Sequence, residues 1–196
     1  MAIAVPARPL VDLALPQNGA ARLGAQIVLA VLGTLLLTLS AKTKVVLGPV
    51  DMSLQTLAVL LIGASFGFRL GVATLLLYLA EGAAGLPVFA LGGGLSYFMG
   101  PTAGYLISYP IAAFLVGWLA ERRWDRKLLT ATVAMLLGNL VIYAIGMAWL
   151  GTYKGILFEV STLVAGVQPF ILGDLTKIAV AAVVLPSAWR IAGRDS

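Results

Sequence analysis

The sequence predicts an all-α membrane protein, a single domain in which six helices cross the bilayer. Hydrophobic residues make up 61% of the 196 residues and charged residues only 11%, and the mean hydropathy is +1.02. A soluble domain is nearer half apolar and a quarter charged. The apolar residues are gathered into runs that approach about 20 residues, the length that spans a bilayer as a helix.

Six apolar runs define the predicted helices. The second and third are short and almost continuous, separated at the motif GFRLG. The fourth is predicted to begin at Pro101, because proline suits the first turn of a helix. Residues 1–21 form a short cytoplasmic tail in which three prolines disfavour a stable helix, and residues 22–193 form the bundle. The predicted helices cover residues 22–41, 53–68, 69–82, 101–121, 128–150 and 169–190.

The basic residues are segregated in a way that fits six crossings. Lys42, Lys44 and Lys154 fall on one side of the membrane, and Lys177 lies within the last helix. The other nine of the thirteen fall on the opposite side, which the positive-inside rule identifies as cytoplasmic. Both termini are therefore predicted to be cytoplasmic, and the net charge of +5 reflects orientation in the lipid bilayer rather than nucleic-acid binding. The nine are Arg8, Arg22, Arg69, Arg122, Arg123, Arg126, Lys127, Arg190 and Arg194.

One long loop is unusual in composition. Residues 81–100, EGAAGLPVFALGGGLSYFMG, are too apolar for a water-facing loop and too rich in glycine for a helix. Irregular backbone at membrane depth is tolerated only where it packs in protein or lines a cavity. We therefore predict a re-entrant or capping segment over a pocket, and a similar role for residues 45–56. The triple glycine 92–94 lacks the context of a phosphate loop and favours close backbone approach.

The last apolar segment carries two opposite charges, Asp174 and Lys177. Each such charge at the bilayer centre costs about 2.5 to 3.5 kcal/mol on insertion scales. Residues three apart lie on the same helix face. One interpretation is an ion pair that only locks this helix to a neighbour. The other is a polar ligand site facing the protein interior, because intramembrane ionisable residues are functional candidates.

Other polar and small residues extend this hypothesis. Gln55 and Asn139 lie within apolar segments, where they form interhelical hydrogen bonds or contact a ligand. Ala21 and Ala25, four residues apart, allow close helix packing. Four tyrosines are interpreted as interfacial or packing aromatics, of which Tyr105 is also a candidate ligand contact. They are Tyr78, Tyr97, Tyr105 and Tyr109.

The sequence contains no enzyme motif. It has no Cys and no His, which removes thiolate chemistry and the commonest metal ligand and general base. It also has no HExxH, no Ser/His/Asp set and no Walker motif. We predict no catalytic residue, no metal site and no cofactor. With no encoded energy source and no clear internal repeat of the kind secondary carriers show, the sequence favours a membrane-embedded binding subunit.

Four stretches carry a resemblance to a known family. They are PVDMSLQTLAVLLIGASFGFRLG, LLLYLAEGAAGLPVFALGGGLSYFMGPTAGYLISYPIAAFLVGWL, GNLVIYAIGMAWLG and GVQPFILGDLTKIAVAA. Together they resemble the BioY family, the biotin-specific substrate-binding components of energy-coupling-factor transporters. The block GLPVF…GPTAGYL with the later GDLTK is the most specific part. The resemblance implies biotin uptake through a six-helix bundle in a bacterial-type cell membrane, with both termini cytoplasmic.

The resemblance also implies roles for particular residues. Asp174 and Lys177 match the polar pair of the family's last helix, which contacts the ring system of biotin. The implied partners are a transmembrane coupling protein and two ATP-hydrolysing subunits, and Ala21 and Ala25 fit the small-residue positions that dock them. Some relatives carry a polar side chain where this chain has only glycine at 92–94. The alternative is the equivalent component for another vitamin or small organic solute.

The chemistry of biotin agrees with these assignments. Its ureido ring has two N–H donors, which an ionised Asp174 can accept, and a carbonyl to which Lys177 can donate. Charge-assisted bonds of this kind are stronger than neutral ones. Candidate donors to the ligand carboxylate are the backbone N–H groups of Gly92, Gly93 and Gly94 and the N-terminus of a nearby helix.

Overall fold

A computed structural model of the chain describes residues 7–45, 52–155 and 171–192. These residues form the α-helices α1 (Gly19–Lys42), α2 (Gln55–Ala83), α3 (Ala103–Ala120), α4 (Leu128–Lys154) and α5 (Ile171–Ile191). Two short antiparallel strands, β1 (Lys44–Val45) and β2 (Met52–Ser53), lie between α1 and α2. Within the described residues, four helices, α1 to α4, are long and apolar enough to cross a membrane. The chain is therefore a multi-pass helical membrane protein, with one small β pair that the sequence did not predict.

Helix α2 reverses direction at Gly67. This residue has φ 75° and ψ 173°, a conformation that side chains with a Cβ rarely adopt. The Gln55 amide donates to the Tyr78 hydroxyl at 2.8 Å, whereas a straight helix would place these residues about 35 Å apart. A Cβ at Gly71 would lie 3.3 Å from the Gly63 Cα. Helix α2 is thus a hairpin of two packed arms, and its turn falls within the predicted GFRLG break.

Glycines allow the α2 hairpin to pack closely against α3. A Cβ at Gly63 would lie 2.9 Å from the Cα of Ala113, and one at Gly117 would lie 2.5 Å from the backbone nitrogen of Phe68. At the turn, the Phe68 N–H donates to the Glu121 carboxylate at 3.2 Å. Glu121 thereby satisfies a donor at the start of the second arm that has no partner within the helix.

The described part of the N-terminal segment packs against the bundle rather than forming a free tail. Residues Leu10–Leu13 form a 3-10 turn, and Leu15 is buried. The Ala7 N–H donates to the Glu121 carbonyl at 2.7 Å, and Arg22 pairs with Asp12 at 2.7 Å. Helix α1 then begins at Gly19, three residues before its predicted start.

Two other predicted boundaries shift. Helix α3 begins at Ala103 rather than at Pro101, because residues 100–103 form a turn in which the Ala103 N–H donates to the Gly100 carbonyl at 3.2 Å. Helix α4 continues to Lys154 and ends at Gly155, whose φ of 68° is typical of a helix C-terminus. The predicted start of the last helix, at residue 169, lies outside the described residues.

One end of the bundle collects arginine side chains. The Arg126 guanidinium lies 4.1 Å from the centre of the Trp189 ring, and the Trp189 indole N–H donates to Asp125 at 2.6 Å. Asp125 is buried, and its burial raises the pKa of its carboxyl group to about 6. Arg69 interacts electrostatically with Glu121 at the same end. These contacts tie the α3–α4 loop to α5.

The other end carries the segment between α2 and α3, residues 84–102, which we call the cap segment. The backbones of Phe89 and Gly92 pair through hydrogen bonds of 2.8 and 3.3 Å, and the Gly94 N–H donates to the Gly82 carbonyl at 2.7 Å. Lys42, the last residue of α1, donates to the Phe89 carbonyl at 2.7 Å. The predicted capping segment is confirmed, as irregular backbone held against helix ends.

Candidate ligand-binding site

A cavity of about 510 Å³ lies beneath the cap segment, within the range of about 300 to 1,000 Å³ usual for small-molecule sites. Five regions of the chain form its wall, and polar groups converge on it from several of them. The β2–α2 junction supplies Ser53, Gln55 and Thr56, the cap segment Phe89 to Gly93 with Ser96 and Tyr97, α3 Tyr105 and Tyr109, α4 Tyr143, and α5 Asp174 and Lys177.

The charged pair of α5 is the polar centre of this wall. The Lys177 ammonium donates to Asp174 Oδ1 at 2.6 Å, and only 7% and 4% of the two residues is exposed. Lys177 also donates to the Ser53 carbonyl at 2.7 Å and to the Thr56 hydroxyl at 3.2 Å. Each of its three N–H groups thus has an acceptor. Thr56 in turn donates to Asp174 Oδ1 at 3.2 Å.

Helix α4 supplies the partners of the second carboxylate oxygen. The Tyr143 hydroxyl donates to Asp174 Oδ2 at 2.6 Å and the Asn139 amide donates at 3.2 Å. Asp174 therefore accepts from four groups on three helices, including Lys177. A buried ion pair is tolerated when further hydrogen bonds satisfy its remaining lone pairs and protons. Among the described residues, the side-chain amide oxygen of Asn139, Oδ1, is buried without a hydrogen-bond partner. It is an acceptor beside this network that no described donor uses.

The two predicted amides have different positions. Gln55 lines the cavity and donates to Tyr78, so it joins the two arms of α2 by a hydrogen bond. Its contact with a ligand stays a prediction. Asn139 donates to Asp174 from the side away from the cavity and is not part of the described cavity wall. Its interhelical hydrogen bond holds α4 to α5.

The four tyrosines were interpreted as interfacial or packing residues, with Tyr105 also a candidate ligand contact, and the structure places all four at or behind the cavity wall. Tyr97, Tyr105 and Tyr109 all line the cavity. Tyr78 is fully buried behind the wall, with its ring edge-on to Phe89 at 5.4 Å. The positions of their hydroxyl groups depend on how α3 and the cap segment pack, and hydropathy does not reveal that packing.

The three glycines shape the cap segment. Gly92 and Gly93 line the cavity, whereas Gly94 does not. Gly92 and Gly94 have φ values of 144° and 103°, which favour glycine. The N–H groups of both already donate within the protein, to the Phe89 and Gly82 carbonyls. The fold of the cap segment thus already uses these two N–H groups. That the glycine N–H groups bind the ligand carboxylate stays a prediction.

Three lining residues, Ser53, Thr56 and Tyr143, were not predicted to belong to the site. Tyr143 had a detectable signal, since it lies four residues after Asn139 and so shares its helix face. Thr56 is 118 residues from Asp174 in the sequence. Only the packing of α2 against α5 brings those two side chains together.

The predicted docking residues lie far from the cavity wall. Ala21 is exposed and Ala25 half-buried in the first turns of α1. A Cβ at Gly24, between them, would meet nothing within 4 Å. The start of α1 therefore presents the small residues Ala21, Gly24 and Ala25 beside the exposed side chains of Leu23 and Ile27.

A multi-pass helical bundle with a buried ion pair lining a cavity of this size defines a membrane protein that binds a small polar molecule. Comparison with known proteins makes the class specific: residues 16–194 match the model of the BioY family. The chain belongs to the BioY family, as the match covers most of its length and several curated relatives agree.

The relatives are named biotin transporters. The "Probable biotin transporter BioY" of Pyrococcus horikoshii is 39% identical over 160 residues, covering 81% of this chain and 93% of the relative. The "Biotin transporter BioY" of Thermotoga maritima is 35% identical, covering 81% and 92% of the two chains. That of Rhodobacter capsulatus is 41% identical, covering 69% and 76%.

A solved structure shares the fold. The S-component for biotin from an ECF-type ABC transporter superimposes with a TM-score of 0.78 at 22% identity. The match covers 88% of this chain and 95% of that one. At this identity the similarity establishes the helical architecture.

Proposed function

We propose that this protein is the biotin-binding component of an uptake system and has no enzymatic activity of its own. The observation that carries the proposal is the buried Asp174–Lys177 pair at the cavity wall, with acceptors and donors that complement a ureido ring. The names of its relatives support biotin as the ligand. The apolar and aromatic part of the wall suits the thioether ring and the aliphatic chain.

The hydrogen bonds of the pair suggest how a ureido ring would enter. Because Asp174 and Lys177 are already satisfied within the protein, the ligand must exchange with some of their partners. We propose that a ureido N–H replaces the hydroxyl of Tyr143 or Thr56 at Asp174. The displaced hydroxyl, or Lys177, then donates to the ureido carbonyl. When the displaced hydroxyl donates to the ureido carbonyl, this exchange keeps that hydroxyl and the oxygens of Asp174 paired, which avoids the cost of leaving them unsatisfied.

A direct binding measurement tests this function. The detergent-purified protein is incubated with radiolabelled biotin, with thiamine and riboflavin as competitors. We expect saturable binding that excess unlabelled biotin displaces and the other two vitamins do not. Displacement by thiamine or riboflavin would favour the component for another vitamin, and absence of biotin binding would reject the proposal.

We further propose six crossings, with both termini cytoplasmic, in the plasma or inner membrane of a bacterial-type cell. The two arms of α2 count as separate crossings, together with α1, α3, α4 and α5. The arginine-rich end then faces the cytoplasm, in accord with the positive-inside rule, and the cap segment and cavity face outward.

This orientation predicts the accessibility of two lysine positions. The chain has no native Cys, so single cysteines can be introduced at Lys127 and Lys154, which lie at opposite ends of α4. We expect an impermeant thiol reagent added to intact cells to label position 154 and not position 127. Labelling of both positions in lysed cells is the control, and the reverse pattern in intact cells would contradict the orientation.

Transport against a gradient needs an energy source, and we propose that partners supply it. These would be a transmembrane coupling protein and two ATP-hydrolysing subunits, docked at the small-residue surface of α1 around Ala21 and Ala25. The position of that surface, away from the cavity wall, separates docking from binding.

The docking proposal predicts that bulky side chains on α1 uncouple uptake from binding. Ala21→Trp and Ala25→Trp should lose most biotin uptake in cells that contain the partner subunits, because they block close helix contact. Both purified variants should bind biotin with unchanged affinity. Normal uptake by both variants would show that the docking surface lies elsewhere.

A further inference from the structure

The distribution of positive charge around the cavity determines whether a negatively charged group on the ligand is favoured. Among the lining residues that the structure describes, Lys177 is the single basic side chain. Its three N–H groups already donate to Asp174, Ser53 and Thr56. Residues 46–51 and 156–170, which lie outside the described part of the chain, contain no Lys or Arg in their sequence. The positive charge at this site is therefore committed to the carboxylate of Asp174.

The other lysines at this end of the bundle lie outside the described cavity wall. Lys42 is exposed and donates to the Phe89 carbonyl. Lys44 is half-buried within strand β1, and Lys154 is exposed at the end of α4. In the described structure none of the three lines the cavity, so a ligand carboxylate inside it would meet neutral groups.

The remaining polar wall described by the structure consists of hydroxyl groups, the amide of Gln55 and backbone. Ser96, Thr102, Tyr105 and Tyr109 line the cavity and contribute hydroxyls, each of which can donate and accept a hydrogen bond. A carboxylate surrounded by such groups loses hydration without gaining a cation. A neutral amide can bond to the same hydroxyls with its carbonyl and its N–H, and it loses less hydration.

The cavity also reaches the surface on the side of the cap segment. Leu91 lines the cavity, yet 77% of it is exposed. Its neighbour Ser96 is likewise both a lining residue and exposed. A substituent on the ligand's tail can therefore extend past this rim without displacing buried side chains.

From these observations we propose that the site accepts neutral amides of biotin, including amides that carry a further substituent, about as well as biotin itself. The inference rests on the proposed function, because it assumes that the ureido ring is held at Asp174 and Lys177. The site then recognises the ureido ring and does not discriminate between a carboxylate and an amide at the other end of the ligand.

Competition binding tests this proposal. Radiolabelled biotin bound to the purified protein is displaced with unlabelled biotin, with biotinamide, and with biotin joined through an amide to the side chain of lysine. A hydrogen bond between the ligand carboxylate and a cation would be worth about ten- to a hundredfold in affinity. We expect both amides to compete within about tenfold of biotin. A larger loss for biotinamide would overturn the inference.

A variant makes the test independent of absolute affinity. Ser96→Lys places a cation at the exposed rim of the cavity, where a longer side chain can be accommodated. We expect this variant to favour biotin over biotinamide by at least about tenfold more than the unmodified protein does. If the unmodified protein already binds biotin much more tightly than biotinamide and Ser96→Lys does not change that ratio, a cation already binds the carboxylate and the inference is wrong. Absence of biotin binding to the unmodified protein would instead reject the proposed function, and this inference with it.

Discussion

Asp174→Asn and Lys177→Met should each lower biotin affinity by about 10²- to 10³-fold. Removing one member of a buried ion pair leaves the other charge buried and uncompensated, which costs about 3 to 5 kcal/mol. In this protein the loss extends further, because Thr56 and Tyr143 take their orientation from Asp174. Equilibrium binding of biotin to the purified, monodisperse variants measures the effect.

The double variant Asp174→Leu/Lys177→Leu separates a ligand site from a structural brace. Replacing both charges by apolar groups is often neutral for stability, so we expect a folded protein that does not bind biotin. If the pair only locks α5 to its neighbours, the double variant would keep near-normal affinity, and that result would contradict the site assignment.

The ion pair between Asp12 and Arg22 offers a matched control. It has a similar separation, 2.7 Å, but lies at the arginine-rich end and is more exposed. Such pairs contribute about 0 to 1 kcal/mol. We expect Asp12→Asn to bind biotin with unchanged affinity.

Gly93→Val should reduce biotin affinity by about tenfold or more. A Cβ at Gly93 would overlap the Leu86 carbonyl oxygen, which is backbone and cannot move aside as a side chain can. Overpacking of this kind typically costs about 1 to 3 kcal/mol. The cap segment must shift to relieve it, and the parts of the cavity wall formed by Phe89 and Gly92 shift with it. Titration with labelled biotin gives the affinity.

Gly100→Ala is the control for this substitution. Gly100 also belongs to the cap segment and lines the cavity, and its φ of −86° suits any residue. Its added Cβ would have its nearest neighbour, the Tyr97 carbonyl oxygen, at 3.5 Å, an ordinary contact. We expect binding close to that of the unmodified protein. Near-normal biotin binding by Gly93→Val as well as by Gly100→Ala would indicate that the cap segment tolerates displacement.

Much of this architecture could be predicted from the sequence because a bilayer imposes simple rules. Apolar runs of about 20 residues predict spans, and the segregation of arginine predicts which ends lie together. The structure gathers Arg69 and Arg126 at one end, as that pattern requires. Asp174 and Lys177 were recognisable for the same reason, since buried charges are costly and two of them three residues apart share a face.

The tertiary structure alone decided how those pieces meet. The sequence marked a break near Gly67, but the packing of Gly63 against Gly71 and of Gly117 against Phe68 makes α2 a tight hairpin. The sequence likewise marked residues 81–100 as a capping segment. It could not reveal that the N–H groups of Gly92 and Gly94 donate to carbonyls of the cap segment and of α2.

The partners of the ion pair show the physical reason for this division. Charge, hydropathy and helical periodicity act over a few residues, so they identify Asp174 and Lys177 from the sequence. Satisfying those buried charges requires donors and acceptors from Ser53, Thr56 and Tyr143, which are distant in the chain. Their positions depend on how α2 and α4 pack against α5, and that packing is decided by close contacts across the whole bundle.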